Sequence, residues 1–194
     1  FESELAKVSG NTYRAGNLQE LEEHLKAILA ASGAAGVVLS RNPLLARLAL
    51  AEKLRAWGKI AFVWPEGTER GSTAEGLSFR EQAFAAEVGI TGVDFVLAES
   101  GTLVLTSATE GAQLASLAPP VHVALYRREQ ALGSLEEVLE RLPVPREPEI
   151  SPPGRAIVFI TGPSRTADIE QILIRGVHGP REVHAILVEE SCVA

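Results

Sequence analysis

Three stretches concentrate residue types that can do chemistry. The first is FITGPSRTADIE (159–170), where an apolar run stops at Gly162-Pro163 and a helical spacing follows. A strand that hands the chain to a helix N-terminus presents unpaired N–H groups and the positive end of the helix dipole, both favourable to an anion. Here Gly162 allows close approach, and Ser164 and Thr166 offer hydroxyls. Arg165 offers a planar fork matched to carboxylate or phosphate. The same residues also make a plain polar helix start. Asp168 and Gln171 have the spacing of a cap and its third helical residue, and Asp168 can instead neutralise Arg165. No GxxxxGK[ST] or GxGxxG is present, so a nucleotide has no motif support.

The second stretch is VDFVLAESGT (93–102), with Gly92 just before it. Asp94 and Glu99 lie five apart, so one continuous strand would aim them at opposite faces, against a paired acid and base unless a turn reorients one. Glu99 before Ser100-Gly101 sits where a strand ends. There a carboxylate either faces a crevice, with Thr102 beside it, or is a turn residue in water. The third stretch is RGVHGPREVH (175–184). His178 and His184 are six apart across a Gly-Pro turn, which is no standard metal spacing, and no cysteine or adjacent carboxylate completes a set. Proton transfer or plain packing at the turn remain for His178. A Ser-His-Asp triad lacks a GxSxG elbow at Ser100 or Ser164.

The elements that must carry these residues alternate between two periodicities. Asn17 to Glu20 reads as a capping-box-like start, Leu18, Leu21, Leu25, Ile28 and Leu29 share one face, and Gly33 is the stop. AGVVLS (35–40) is a short buried strand, and Asn42-Pro43 opens a helix running to Trp57-Gly58. KIAFVW (59–64) is the next strand, 65–77 a long loop, and 78–88 a helix. Residues 90–107 read as strand, tight polar turn at Glu99 to Gly101, and strand. A short helix at 110–117, a strand at 121–127 and a helix at 134–142 follow. PVPREPEISPPG (143–154) is an extended connector. The end reads strand 156–161, helix 166–175, turn 176–180 and strand 183–189, a β-α-β crossover. The pattern predicts one α/β domain over 1–194, with layers around a mainly parallel sheet.

Composition narrows function. Hydrophobic residues make up 46% of the 194, enough for a sizeable core. The formal charge of -7 argues against nucleic acid or an anionic membrane as the main partner, while leaving room for a local basic pocket. One cysteine, Cys192, excludes an internal disulfide and a Cys-based zinc or iron–sulfur site in this chain. No apolar stretch approaches the roughly 20 residues of a membrane span, and a cytoplasmic setting is expected. A chain opening on Phe1 without any methionine is expected to lack some natural N-terminal residues.

GITGVDFVLAESGTLVL (89–105), PPVHVALYR (119–127) and above all ITGPSRTADIEQILIRGVHGPREVHAILVEE (160–190) resemble the lactate-utilisation protein C family, LutC/YkgG or LUD domain. The resemblance is close from Gly89 onward and loose over residues 1–77. It implies a three-layer α/β/α fold akin to the ribose-5-phosphate isomerase and CoA-transferase (NagB/RpiA/CoA transferase-like) group. It also implies a part in bacterial oxidation of L-lactate to pyruvate, with iron–sulfur partner proteins carrying the electrons and no cofactor held by this chain. CoA-transferases place a catalytic glutamate in a Glu-Asn-Gly turn; Glu99-Ser100-Gly101 looks like that turn, with Ser100 departing from it. The expectation is a crevice with Gly92, Asp94, Glu99, Ser100, Gly101 and Thr102 on one side. Gly162, Ser164, Arg165, Thr166 and Asp168 would form the other side, with His178 at the rim. Glu99 would act as base or nucleophile, and Arg165 would bind a carboxylate or phosphate. A small anionic metabolite, such as a sugar phosphate or CoA ester, is the alternative partner, and a homo-oligomer is left open.

Overall fold

Most strands follow aliphatic runs of the sequence; those at Asn11–Ala15, NTYRA, and Arg165–Ala167, RTA, do not. In the computed structural model, which describes residues 1–65, 74–111, 113–142, 156–167, 173–175 and 179–193, the first four are β1 (Asn11–Ala15), β2 (Gly36–Leu39), β3 (Ile60–Val63) and β4 (Val88–Thr91). A pair follows, β5 (Phe95–Leu97) and β6 (Thr102–Thr106), then β7 (Val121–Tyr126) and the short β8 (Ala131–Leu132). β9 (Ile157–Ile160), β10 (Arg165–Ala167), β11 (Leu173–Arg175) and β12 (Glu182–Val188) come last. The helices are α1 (Glu2–Lys7), α2 (Leu18–Ala31), α3 (Pro43–Arg47), α4 (Leu50–Ala56), α5 (Ala74–Ala85), α6 (Ser107–Glu110), α7 (Leu114–Leu117) and α8 (Leu135–Arg141).

Six strands form one parallel sheet in the order β1-β12-β7-β4-β2-β3. Its central strands are apolar on both faces, as a sheet covered on both sides requires. Val37, Leu39, Ile90, Leu125 and Val188 share one core with α2, α3 and α4. On the other face, Val38 meets Trp64, Phe79, Ala83 and Ala115, the last three from α5 and α7. The rest of that face is covered by a second, four-stranded sheet, β8-β5-β6-β9. Ala124, Val183, Ala185 and Leu187 pack there against Val96, Leu103, Leu105 and Ile160, with Leu5 of α1. The far side of this small sheet is closed by Val138 of α8 and Leu142. The layers are therefore α/β as expected, with one outer layer shared between helices and a small sheet.

Local signals act as the sequence implies at α2. The Asn17 side chain accepts from the Glu20 N–H at 3.0 Å, and Gly33 takes the left-handed φ of +63° just beyond the helix. The continuous helix expected from Asn42 to Trp57 is broken in two. Leu48 and Leu50 are both buried, yet two helical residues lie about 200° apart. Ala49 adopts φ +50°, ψ +40° between α3 and α4, which lets both leucines face the core.

The C-terminal expectation fails in topology. Residues 165–167 and 173–175 are not helical: β10 and β11 pair antiparallel, Thr166 opposite Ile174. Both of those residues are β-branched, a type that favours a pleated surface over a helix. Nor do β9 and β12 frame a crossover, because β9 pairs antiparallel with β6 in the small sheet while β12 sits between β1 and β7. The connector 143–154 and most of the loop 65–77 lie outside the described residues; α5 begins at Ala74 rather than residue 78.

Candidate functional site

β2 and β4 are neighbours, but the chain leaves them in opposite directions. After β2 it enters α3 on one face; after β4 it enters β5 and β6 on the other. Such a parting at the carboxyl ends of parallel strands is where open α/β sheets bind ligands. Two segments, the one after β2 and the one after β4, converge here on the carboxyl group of Glu110, the last residue of α6 and only 1% exposed. Ser40 Oγ and the Gly92 N–H donate to its Oε2, the latter at 3.1 Å, and Asn42 Nδ2 donates to its Oε1. Gly92 is required by contact: a Cβ there would lie 2.2 Å from the Asn42 side chain.

Burial pushes the Glu110 carboxyl up to about 7, against the hydrogen bonds from Ser40, Asn42 and Gly92, which favour the charged form; nearby Asp94 pushes it further up. The donor inventory shows where the proton resides. Asn42 Oδ1 accepts from the Leu44 N–H at 2.9 Å, which fixes the amide and leaves Nδ2 facing Glu110 as a donor only. Gly92 N–H is likewise only a donor. Ser40 alone can turn its hydroxyl from donor to acceptor, so the exchangeable proton lies between Glu110 Oε2 and Ser40 Oγ. Asp94, half-buried, accepts from Thr106 N at 2.6 Å and from Thr109 Oγ1 at 2.9 and 3.0 Å; burial raises it and these bonds oppose the rise. Arg41 follows Ser40 directly, and its backbone N–H donates to the Glu110 carbonyl at 3.2 Å. Its guanidinium has no hydrogen bond or ion pair among the described residues. The cluster thus holds a buried carboxyl poised near neutrality beside a second, half-buried carboxylate, groups of the kind that hold or exchange a proton.

Of the residues expected from sequence, Gly92 and Asp94 come to this point. Glu99, Ser100, Gly101 and Thr102 do not: they form the turn at the opposite end of the β5–β6 hairpin. Glu99 is exposed, and its Oε1 accepts from the Leu135 N–H at 2.7 Å, capping α8. Ser100, Thr102 and Thr161 join hydroxyls at 2.7 Å each, and Gly101, at φ +67°, lies against the backbone of Leu5. Gly162, at φ +82°, lies against Val8. Arg165 donates to the Val8 carbonyl at 2.7 Å and to Ser9 Oγ, so its fork ties the C-terminal region to the end of α1. Ser164 donates its N–H to the Pro180 carbonyl at 2.8 Å. With no helix beginning at Thr166, the dipole argument for an anion there falls. Asp168 and His178 lie outside the described residues.

Sequence reasoning missed Glu110, Ser40 and Asn42. Glu110 is about 70 positions from both partners, and nothing local marks it beyond a carboxylate placed before a glycine. It also missed His122, fully buried in β7 with Nε2 2.8 Å from Thr91 Oγ1. Burial holds that imidazole down to about 3, and its Nδ1 has no partner among the described residues.

Comparison with known proteins decides the family. The LUD domain matches residues 1–188. The chain belongs to the LUD domain family. The Lactate utilization protein C of Halalkalibacterium halodurans is 31% identical over 173 residues, 89% of this chain and 71% of that one. That of Geobacillus sp. strain WCH70 is 33% identical over 182 residues, 88% of this chain and 69% of its own. A crystal structure of a DUF162 family protein from Deinococcus radiodurans is similar at 17% identity with a TM-score of 0.41, covering 90% of this chain and 99% of that one. Among the described residues of this LUD chain, no helix is long and apolar enough to cross a membrane.

Proposed function

We propose that this LUD chain is a non-redox subunit of a bacterial L-lactate utilisation system, working beside iron–sulfur proteins that take the electrons when lactate becomes pyruvate. The observation that carries the reading is the match along residues 1–188 together with relatives named Lactate utilization protein C. The single cysteine is consistent with electron transfer belonging to partners, since a cysteine-ligated cluster needs several thiolates. Within such a system the contribution of this chain is the buried cluster at the carboxyl ends of β2 and β4. Glu110 takes up or releases a proton on the oxygen facing Ser40, whose hydroxyl turns between donor and acceptor as it does so, while Gly92 and Asp94 set its surroundings.

A second reading, a stand-alone enzyme or binder of a small anionic metabolite, is favoured by the Glu110 environment, which suits proton exchange whether or not partners are present. Lactate-dependent growth after deletion of the gene tests both. Rescue by Glu99→Gln and Arg165→Ala but not by Glu110→Gln is the expected result. Co-purification with iron–sulfur proteins separates the two readings: a chain that ignores them at micromolar concentration defeats the first.

A further inference from the structure

We propose that the cavity above the carboxyl ends of β7 and β12 binds a small monocarboxylate between Arg47 and Arg127. The cavity has a volume of about 330 Å³ and is lined by Arg47, Arg127, Glu190, Ser191 and Val193. That volume lies at the lower end of the range for small-molecule sites. Arg127 directly follows β7, and Glu190 lies two residues beyond β12, so the walls come from two adjacent parallel strands at their ligand-binding ends. Arg47 ends α3, whose leucines pack on the sheet face that carries Leu125 and Val188. This places α3 between two sites, with Asn42 at its start facing Glu110 and Arg47 at its end facing the cavity.

The donors favour one singly charged ligand. Arg127 is held in place, its Nε 2.8 Å from Glu129 and its Nη2 2.9 Å from Glu190, while its own N–H donates to Gln130. A guanidinium has five N–H donors, so two engagements leave three for a ligand. Arg47 makes no hydrogen bond or ion pair among the described residues, so its fork engages none of them. The Glu190 side chain is 89% exposed, so its bond to Arg127 is a surface pair of small worth that an incoming anion can replace. Arg47 and Arg127 balance Glu129 and Glu190 until Glu190 swings out, which leaves one positive charge for one carboxylate. A polyphosphate would instead add charge beside Glu189 and Glu190. Val193 gives the ligand an apolar wall, which suits a short alkyl body and offers nothing to a bare phosphate.

The proposal does not rest on the lactate-utilisation reading: loss of growth support with binding intact would leave it standing. Titration of the whole chain with propionate, L-lactate and inorganic phosphate, followed by calorimetry, tests it. Both carboxylates are expected to bind. Arg47→Gln is expected to weaken them about tenfold or more, as loss of a charge-assisted fork does. Because that side chain holds no other described residue, the variant is expected to fold as the parent does. Glu190→Gln is expected to tighten binding several-fold, a change that a merely structural Arg127–Glu190 pair would not give. Carboxylate binding of equal strength in Arg47→Gln, or phosphate binding alone, overturns the assignment.

Discussion

Glu99 and Glu110 are the same side chain eleven positions apart, at opposite ends of β6, and they behave as different groups. Glu99 lies in the turn before β6, exposed, with one backbone partner at the start of α8. Glu110 lies just past the other end of β6, buried, with three donors from two segments and a carboxyl pushed up to about 7. One strand's length separates a cap in water from a proton-holding group in the core. The end of the parallel sheet at which a carboxylate lands, rather than the motif around it, decides which chemistry it acquires.

Removing each carboxylate should expose that difference at once. Glu110→Ala leaves Asn42 Nδ2 and the Gly92 N–H buried without an acceptor, since neither can turn away. At roughly 1–3 kcal/mol for each orphaned donor, the loss should reach about 4 kcal/mol in urea unfolding. A loss under about 1 kcal/mol would show that the segments after β2 and β4 do not depend on Glu110.

The second break is in pH. Unfolded, Glu110 titrates at its ordinary 4.5; folded, at about 7. Between those values the folded chain keeps a proton that the unfolded chain has lost. This contribution is therefore complete below 4.5 and lost as pH rises through 7, by about 3 kcal/mol at 1.36 kcal/mol per unit. Asp94, also raised, acts in the same direction. His122 acts oppositely: held down to about 3, it costs stability as pH falls below 6.5. The difference between the parent and Glu110→Gln, measured by denaturation from pH 4.5 to 7.5, isolates the first effect. A difference that stays flat across that window would remove the raised carboxyl.

What the sequence made legible follows the range of the interactions involved. Asn17 caps α2 through a neighbour three residues away, and the β5–β6 hairpin turns at Glu99 to Gly101 as its polar interruption implies. Gly92 and Asp94 were within reach by residue type, although the run from 90 to the turn reads as one strand while the structure ends β4 at Thr91 and starts β5, in the other sheet, at Phe95. Glu110 was not, because its partners Ser40 and Asn42 meet it only through the order β4-β2 in the sheet, which no local spacing encodes. Arg165 misled for the complementary reason. Its type suits an anion, but tertiary structure gives it the Val8 carbonyl and Ser9 at the far end of the chain. Thr166 and Ile174 show the same override, since a helical spacing yielded to β-branched pairing.

The smallest effect sharpens the contrast most. Glu99→Gln keeps an oxygen for the Leu135 N–H and removes only a negative charge from the N-terminus of α8. A charge placed there at the surface is worth about 0.5 kcal/mol, less in salt. The variant should therefore unfold within about 0.5 kcal/mol of the parent, lose even that difference as salt is raised, and still support lactate-dependent growth. Each part has a distinct cause: the small loss is the dipole, the salt sensitivity is exposure, and the retained growth is the absence of chemistry at this turn. Should Glu99→Gln abolish growth while folding as the parent does, the catalytic carboxylate would belong to the turn after all, and Glu110 would be the structural one.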